Sequence, residues 1–330
     1  MESSAIERPV SRESTPSARA SGDYFAARTG LGYSGRVKHP GLLSDILFKI
    51  VFGTESSEPT LRALLNALLD LSGPQRIVDL VLVNPISEKQ YIDDKGPILD
   101  VKAVDGANRQ YNIEVQLSAG VGDYINRSVY YTSRFFSEQL KRGDSYHGLA
   151  KTISISLLDF ILFVPNETHC HDSLHTVFCL KEKTDGFVLS DALELHYIEL
   201  RKFKPSKPEV LQTRFERWLY FLKFSDTYGA DEVLPENLAQ EEGISMALES
   251  MRRAYSTDLV RELIEAREKA ERDEINRIYH ATKEGHNKGL LTAARGMLTL
   301  GLSPDLIKQA TGLTHAEIAG LERQSELGEP

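Results

Sequence analysis

Two cysteines in 330 residues, Cys170 and Cys179, are too few for a disulfide framework, and a reducing cytosol is the expected compartment. There is no apolar run of about 18 residues and no charged-then-apolar leader, so the sequence predicts a soluble, non-exported protein that does not enter a membrane. Basic charge is not in surplus either. The chain has 39 Lys and Arg against 48 Asp and Glu, a net charge of -9 and a pI near 5.6. That balance argues against a protein that coats nucleic acid, and leaves room for an enzyme with a local basic cleft. No Ser-His-Asp triad, P-loop, glycine-rich dinucleotide turn or kinase motif set is present. The remaining composition, 41% hydrophobic and 26% charged, is ordinary for a globular protein with a sizeable core.

Residues 1–38 are rich in Ser, Arg, Gly and Ala without a sustained period and read as a disordered tail. Order is expected to begin at "GLLSDILFKIVFG", a helix that Ser44 can cap, followed by the leucine-rich "PTLRALLNALLDLSG". "RIVDLVLVN" reads as a strand, "ILDVKAVDGANRQYNIEVQL" as a hairpin and "VGDYINRSVYYTSRFFSEQL" as a helix. "TISISLLDFILF" reads as a central strand, and "HTVFCLKEK" and "LELHYIEL" as two strands near an edge. This order predicts an α/β domain over 39–205, a mixed sheet flanked by helices. From 206 to 330 the pattern is helical only, with a long charged segment and a final helix-turn-helix-like pair whose helices Ser303 and Thr314 can cap.

The hairpin carries the chemistry. A three-residue loop centred on Ala107 would set Asp100 opposite Glu114, Lys102 opposite Asn112 and Ile98 opposite Gln116, all on one face, with Leu99, Val101, Ala103, Tyr111, Ile113 and Val115 on the other. Opposed residues have Cβ atoms about 5 Å apart. Two carboxylates that close repel, and a divalent cation resolves the conflict: Mg²⁺ takes one or two carboxylates, waters and phosphate oxygens. Such a site suits phosphodiester hydrolysis. The same pattern also fits a hairpin whose polar face meets water, with Lys102 offsetting the acids, and a loop of different length would separate the two acids.

The ordered set "SDILFKIVFG", "ILDVKA", "YNIEVQ", "YINRSVYYTSRFFSEQL", "GDSYHGLAKTISISLLDF" and "LELHYIEL", over about residues 42–225, resembles the Rpn family. These are recombination-promoting, transposase-like nucleases of the PD-(D/E)XK nuclease superfamily. The segment "GHNKGLLTAARGMLTLGLSPDLIKQATGLTHAEIAGL" is similar to that family's usual tail. The resemblance implies a PD-(D/E)XK nuclease-like α/β fold and a metal-dependent DNA endonuclease tied to recombination or mobile elements, using Mg²⁺ or Mn²⁺. It implies metal-binding roles for Asp100 and Glu114, with the Val115 carbonyl as a further ligand. Asp45 takes the N-terminal acidic position. Gln116 stands where many superfamily members have Lys; it cannot act as a base but can orient water or phosphate. Lys102, Arg127 and Tyr131 are candidate phosphate contacts, Arg127 as a fork. The other reading of Asp45 is a first-turn acid favoured by the helix dipole, and Arg127 and Tyr131 also fit packing and surface charge.

DNA is the expected partner, and a homodimer suits an enzyme that must cut both strands. An alternative is a nuclease-like scaffold that binds nucleic acid or protein without cutting; the acidic pI and the missing Lys favour it. "THCHDSLHTVFC" holds zinc-type side chains at a spacing that fits no common zinc motif, so a structural reading is preferred there. The basic stretch "RKFKPSKP" reads as a solvated linker.

Overall fold

The computed structural model describes residues 41–83, 100–117, 124–164, 172–205, 207–229 and 232–326. The predicted N-terminal tail, Ile98, Leu99 and the segment His169–His171 lie outside them. The chain divides into two compact units, one reaching to Ala270 and one that includes the residues from Glu271 onward.

The larger unit holds a six-stranded sheet of β1 (Leu80–Val83), β2 (Asp100–Asp105), β3 (Gln110–Gln116), β4 (Thr152–Leu158), β5 (His175–Lys181) and β6 (Val188–Glu199), in the order β1-β2-β3-β4-β6-β5. β1, β2 and β3 form an antiparallel meander, β3, β4 and β6 are parallel, and β5 returns antiparallel at the edge. This is the mixed sheet expected from the sequence, with β4 central.

Alternation assigns the faces. Val101, Ala103, Tyr111, Ile113, Val115, Ile153, Ile155, Leu157 and Ile198 enter the main core. Four helices supply most of the rest of that core: α1 (Asp45–Phe52), α2 (Glu58–Leu68), α4 (Arg214–Phe224) and α6 (Ile244–Tyr255). α1 and α2 present Leu47, Phe48, Phe52, Leu61, Leu64, Leu65 and Leu68 at helical spacing. Asn66 fastens α2 to the approach to β1: its Nδ2 donates to the Ile77 carbonyl at 3.0 Å and its Oδ1 accepts from the Ile77 N–H at 2.9 Å. α4 starts at a capping box of Thr213 and Glu216. Strands stop at Glu199 where the sequence turns helical, yet Trp218, Leu219, Phe221 and Leu222 are buried in the same core. Ser44 occupies the N-cap of α1 without a capping hydrogen bond from its side chain.

The opposite face is covered by α3 (Tyr124–Ser137). Tyr124, Leu158, Phe160 and Tyr197 make a small second cluster there, and Ser128 Oγ meets Tyr197 Oη at 2.6 Å. α5 (Glu236–Ala239) is a single turn, and α7 (Asp258–Thr299) is the long charged helix. The second unit takes the end of α7 with α8 (Pro304–Thr311) and α9 (His315–Glu326), around Ala294, Ile307, Ile318 and Leu321. Gly312 turns the chain between α8 and α9 at φ 74°, and Thr314 caps α9 through a box with Glu317. Ser303 sits at the N-cap of α8 without a capping hydrogen bond from its side chain. No helix of the described residues is long and apolar enough to cross a membrane.

The basic stretch after β6 differs from a solvated linker. Lys202 Nζ lies 2.8 Å from the fully buried Glu199 carboxylate, and Arg201 Nε donates to the Asp159 carbonyl. These cations hold down the chain after β4, and Glu199 accepts the Phe163 N–H at 3.0 Å.

On the core side of the sheet edge, His175 Nε2 and His196 Nδ1 are 2.9 Å apart, and the His175 ring stacks on Phe215 at 5.5 Å. Burial, then the neighbouring His196, pushes His175 down to about 4 from an ordinary 6.5. The unfolded chain therefore binds the proton first. This contribution to stability is complete above pH 6.5 and is lost as pH falls toward 4. Discounted for partial exposure, the effect is roughly 1–2 kcal/mol. Denaturant midpoints at several pH values are expected to fall more steeply in wild type than in His175→Gln; parallel slopes would refute the assignment.

Candidate active site

The turn of the β2–β3 hairpin fixes the register by its own chemistry. Asp105 Oδ1 accepts the N–H groups of Ala107 (3.0 Å) and Arg109 (2.8 Å), and Oδ2 accepts Arg109 Nε (2.6 Å) and the Tyr111 hydroxyl (2.9 Å). Asn108 takes a left-handed φ of 62°, and its N–H closes the turn on the Asp105 carbonyl. The loop is therefore Gly106–Ala107–Asn108. Its register sets Val104 against Gln110, Lys102 against Asn112 and Asp100 against Glu114, the pairing expected from the sequence.

The ladder extends the row sideways. Glu114 is level with Ser156 of β4, which is level with Tyr197 of β6; Asn112 is level with Ser154. The α3 side of the sheet is thus polar at its centre although β4 is buried along its whole length. The signal for this was present in the alternation of Thr152, Ser154 and Ser156 within an otherwise apolar strand.

Glu114 is buried. Gln116 Nε2 donates to Glu114 Oε1, Arg127 Nη2 donates to Gln116 Oε1 at 3.0 Å, and the same guanidinium nitrogen is 3.6 Å from Glu114 Oε1. The Arg127 guanidinium lies over the Tyr124 ring at 5.0 Å. Burial first, and then the Glu114 charge, raise the Tyr124 phenol above its ordinary range; Tyr197 is raised mainly by burial as well. Lys102 Nζ lies 4.6 Å over the Phe135 ring of α3. Glu114, Gln116 and Arg127 are therefore brought together, joining β3 to the first turn of α3.

Two candidates meet other groups. Asp45 Oδ2 is 3.1 Å from Arg267 Nε of α7. Tyr131 is half-exposed on α3, its ring 5.4 Å from that of Tyr130. Asp100 enters through its ladder position opposite Glu114, and Val115 through its place between Glu114 and Gln116, its side chain buried in the core.

The family model of the PD-(D/E)XK nuclease family transposases matches residues 42–281, well over half of the chain. The chain belongs to this family. No curated protein and no solved structure matches it. Membership makes it a nuclease-type hydrolase by kinship, in a family that generally uses divalent metals. The matched span includes the β2–β3 hairpin and α3.

The residues present fit a hard divalent cation. The atoms that Glu114 and Asn112 offer are carboxylate and carboxamide oxygens, the ligand chemistry Mg²⁺ and Mn²⁺ prefer. Asn112 Oδ1, one pair along the same face, is a buried acceptor with no hydrogen-bond partner among the described residues. Among the described residues no group of three or more His, Cys, Asp or Glu side chains converges as a metal cage. A cation completed by waters and substrate phosphate needs only one or two carboxylates.

Arg127 places a permanent charge beside Glu114 and next to the uncharged Gln116. Arg127→Ala is expected to leave stability within about 1 kcal/mol, since the guanidinium is part-exposed. Activity should fall about 10- to 100-fold, with Arg127→Lys recovering part of it, because Lys supplies the charge without the fork. Nicking rates with melting curves check this; unchanged rates in Arg127→Ala would make the contact purely structural.

Proposed function

We propose that this protein is a metal-dependent DNA endonuclease that hydrolyses phosphodiester bonds, in the cytoplasm, in the service of recombination or a mobile element. The observation that carries the reading is the ladder register that opposes Asp100 to Glu114 on the sheet face beneath α3. Asp100, Glu114 and the Val115 carbonyl would hold Mg²⁺ or Mn²⁺. When bound, the ion supplies an acidified water and a counter-charge to the phosphate.

The chain's own residues do the rest. Gln116 is held between Glu114 and Arg127, so its amide is oriented to hold water or a phosphate oxygen. Arg127 offers a fork of donors to a phosphate without leaving its place over Tyr124, and Lys102 adds positive charge on the same face. Asp45 is restrained by Arg267, which suits a supporting role through water. Tyr131 would touch the substrate backbone away from the reacting group.

The test is nicking of supercoiled plasmid with Mg²⁺, with EDTA, and with Asp100→Ala and Glu114→Ala. Metal-dependent nicking by wild type that both variants abolish is the expected result. Equal nicking by all three proteins would assign the cleavage to a contaminant or another site. Absence of nicking in wild type, together with no heat on Mn²⁺ titration, would favour the non-enzymatic scaffold.

A further inference from the structure

β6 is longer than the sheet it belongs to. Its first residue opposite β4 is Leu193, paired with Thr152. Residues Val188–Ala192 are flanked by β5 on one side and, among the described residues, by no strand on the other. β5 is the edge strand, so the end of this hairpin is a two-stranded ribbon projecting past the sheet. Such a ribbon is marginal by itself in water.

This ribbon nevertheless carries exposed apolar side chains and is internally fastened. Leu189 is 75% exposed and Phe187 59%, with Leu180 and Val188 about half-exposed. The tip is braced by Glu182, whose N–H donates to the Phe187 carbonyl at 2.8 Å and whose carboxylate accepts the N–H groups of Thr184 and Asp185. Gly186 makes the turn at φ 74°. Pairing in the ribbon is shifted on either side of Leu180, as in a bulged strand.

Exposed apolar side chains beside unpaired backbone edges mark an association surface. Charge decides against DNA as its occupant: Lys181 and Lys183 are outnumbered by Glu182, Asp185 and Asp191, and phosphate needs a basic surface. A nearly neutral ribbon with, among the described residues, one free edge on each strand is instead complementary to itself when rotated by a two-fold axis. Edge-to-edge pairing would bring Leu180, Phe187, Val188 and Leu189 of both copies to one seam, and the lower end of a stable interface needs roughly 600 Å² from each partner.

We propose that the β5–β6 ribbon is a homodimerisation arm whose occupant is the same ribbon of a second copy. The assignment does not depend on the metal chemistry. If the nuclease reading also holds, the dimer carries two candidate sites, one for each strand of a duplex.

Sedimentation equilibrium of the full chain without DNA or metal tests it. Wild type is expected to reach twice 37.0 kDa at micromolar concentration. Leu189→Asp, and the milder Phe187→Ser, should weaken the dimer at least about tenfold in Kd with unchanged circular dichroism and melting. Val233→Asp, at an apolar residue 88% exposed elsewhere, should leave it intact. A wild type that stays at 37.0 kDa up to about 100 μM would overturn the proposal. So would folded ribbon variants that associate as wild type does.

Discussion

Glu114→Gln is expected to lose at least about 10³-fold in Mg²⁺-dependent nicking, some 4 kcal/mol of transition-state stabilisation, while still folding. The substitution preserves volume at a buried position and removes only the negative charge. That charge is what a cation would require, and it is also what Gln116 and Arg127 surround. In Glu114→Gln the guanidinium loses its ionic partner, but it is part-exposed and keeps its bond to Gln116, so water can compensate it. The carboxamide can keep a hydrogen bond to Gln116 by offering its oxygen. Activity and stability should therefore separate. The measurements are single-turnover nicking and thermal melting on the same preparations, with Mn²⁺ titration to follow the metal. Nicking within about threefold of wild type, read on a scale where 1.4 kcal/mol is tenfold, would remove Glu114 from the reaction. An inactive variant that still bound Mn²⁺ normally would move its role from metal to water or phosphate.

The hairpin shows what a local pattern can specify. Asp105, Asn108 and a three-residue loop lie within five positions of one another, and their hydrogen bonds determine every pair up to Asp100 and Glu114. Period-2 alternation then assigns the faces, so the core set of the hairpin follows from the sequence. The pairing of Gln116 with Arg127 does not, because it depends on how α3 is laid across the sheet, which Ser128 and Tyr197 fix from 69 positions apart. Asp45 meeting Arg267 lies further from any local signal. Nothing in the helical period of α1 announces that its first-turn acid receives a guanidinium from a distant helix. The ribbon was hidden for a different reason. "HTVFCLKEK" reads as an edge strand, but only the pairing shows that β6 outruns β4.

Trp218→Ala is expected to cost about 3–5 kcal/mol, enough to unfold much of the sheet-bearing unit near physiological temperature, although Trp218 lies beyond the last strand in sequence. The indole is fully buried. It sits 6.1 Å from the ring of Phe52 in α1 and 6.1 Å from Phe221, so one side chain of the helical region fills the space beside the first helix of the fold. The packing leaves no slack on its other side. Gly243 enters α6 at φ 83°, and a Cβ there would stand 2.5 Å from Ala63 Cβ and 3.0 Å from Trp218 Cζ2, so α2, α4 and the start of α6 approach one another through a glycine. Removing the indole leaves a cavity that neither the sheet nor three crossing helices can close by small shifts. It follows that a fragment ending near residue 205, where the strands are complete, lacks Trp218, Leu219, Phe221 and Leu222 from its core and should not fold. Urea unfolding of Trp218→Ala and solubility of the fragment measure the two halves of this claim. A Trp218→Ala protein within about 1 kcal/mol of wild type, or a fragment with a cooperative transition of its own, would show that the sheet carries its stability without the helices that follow it.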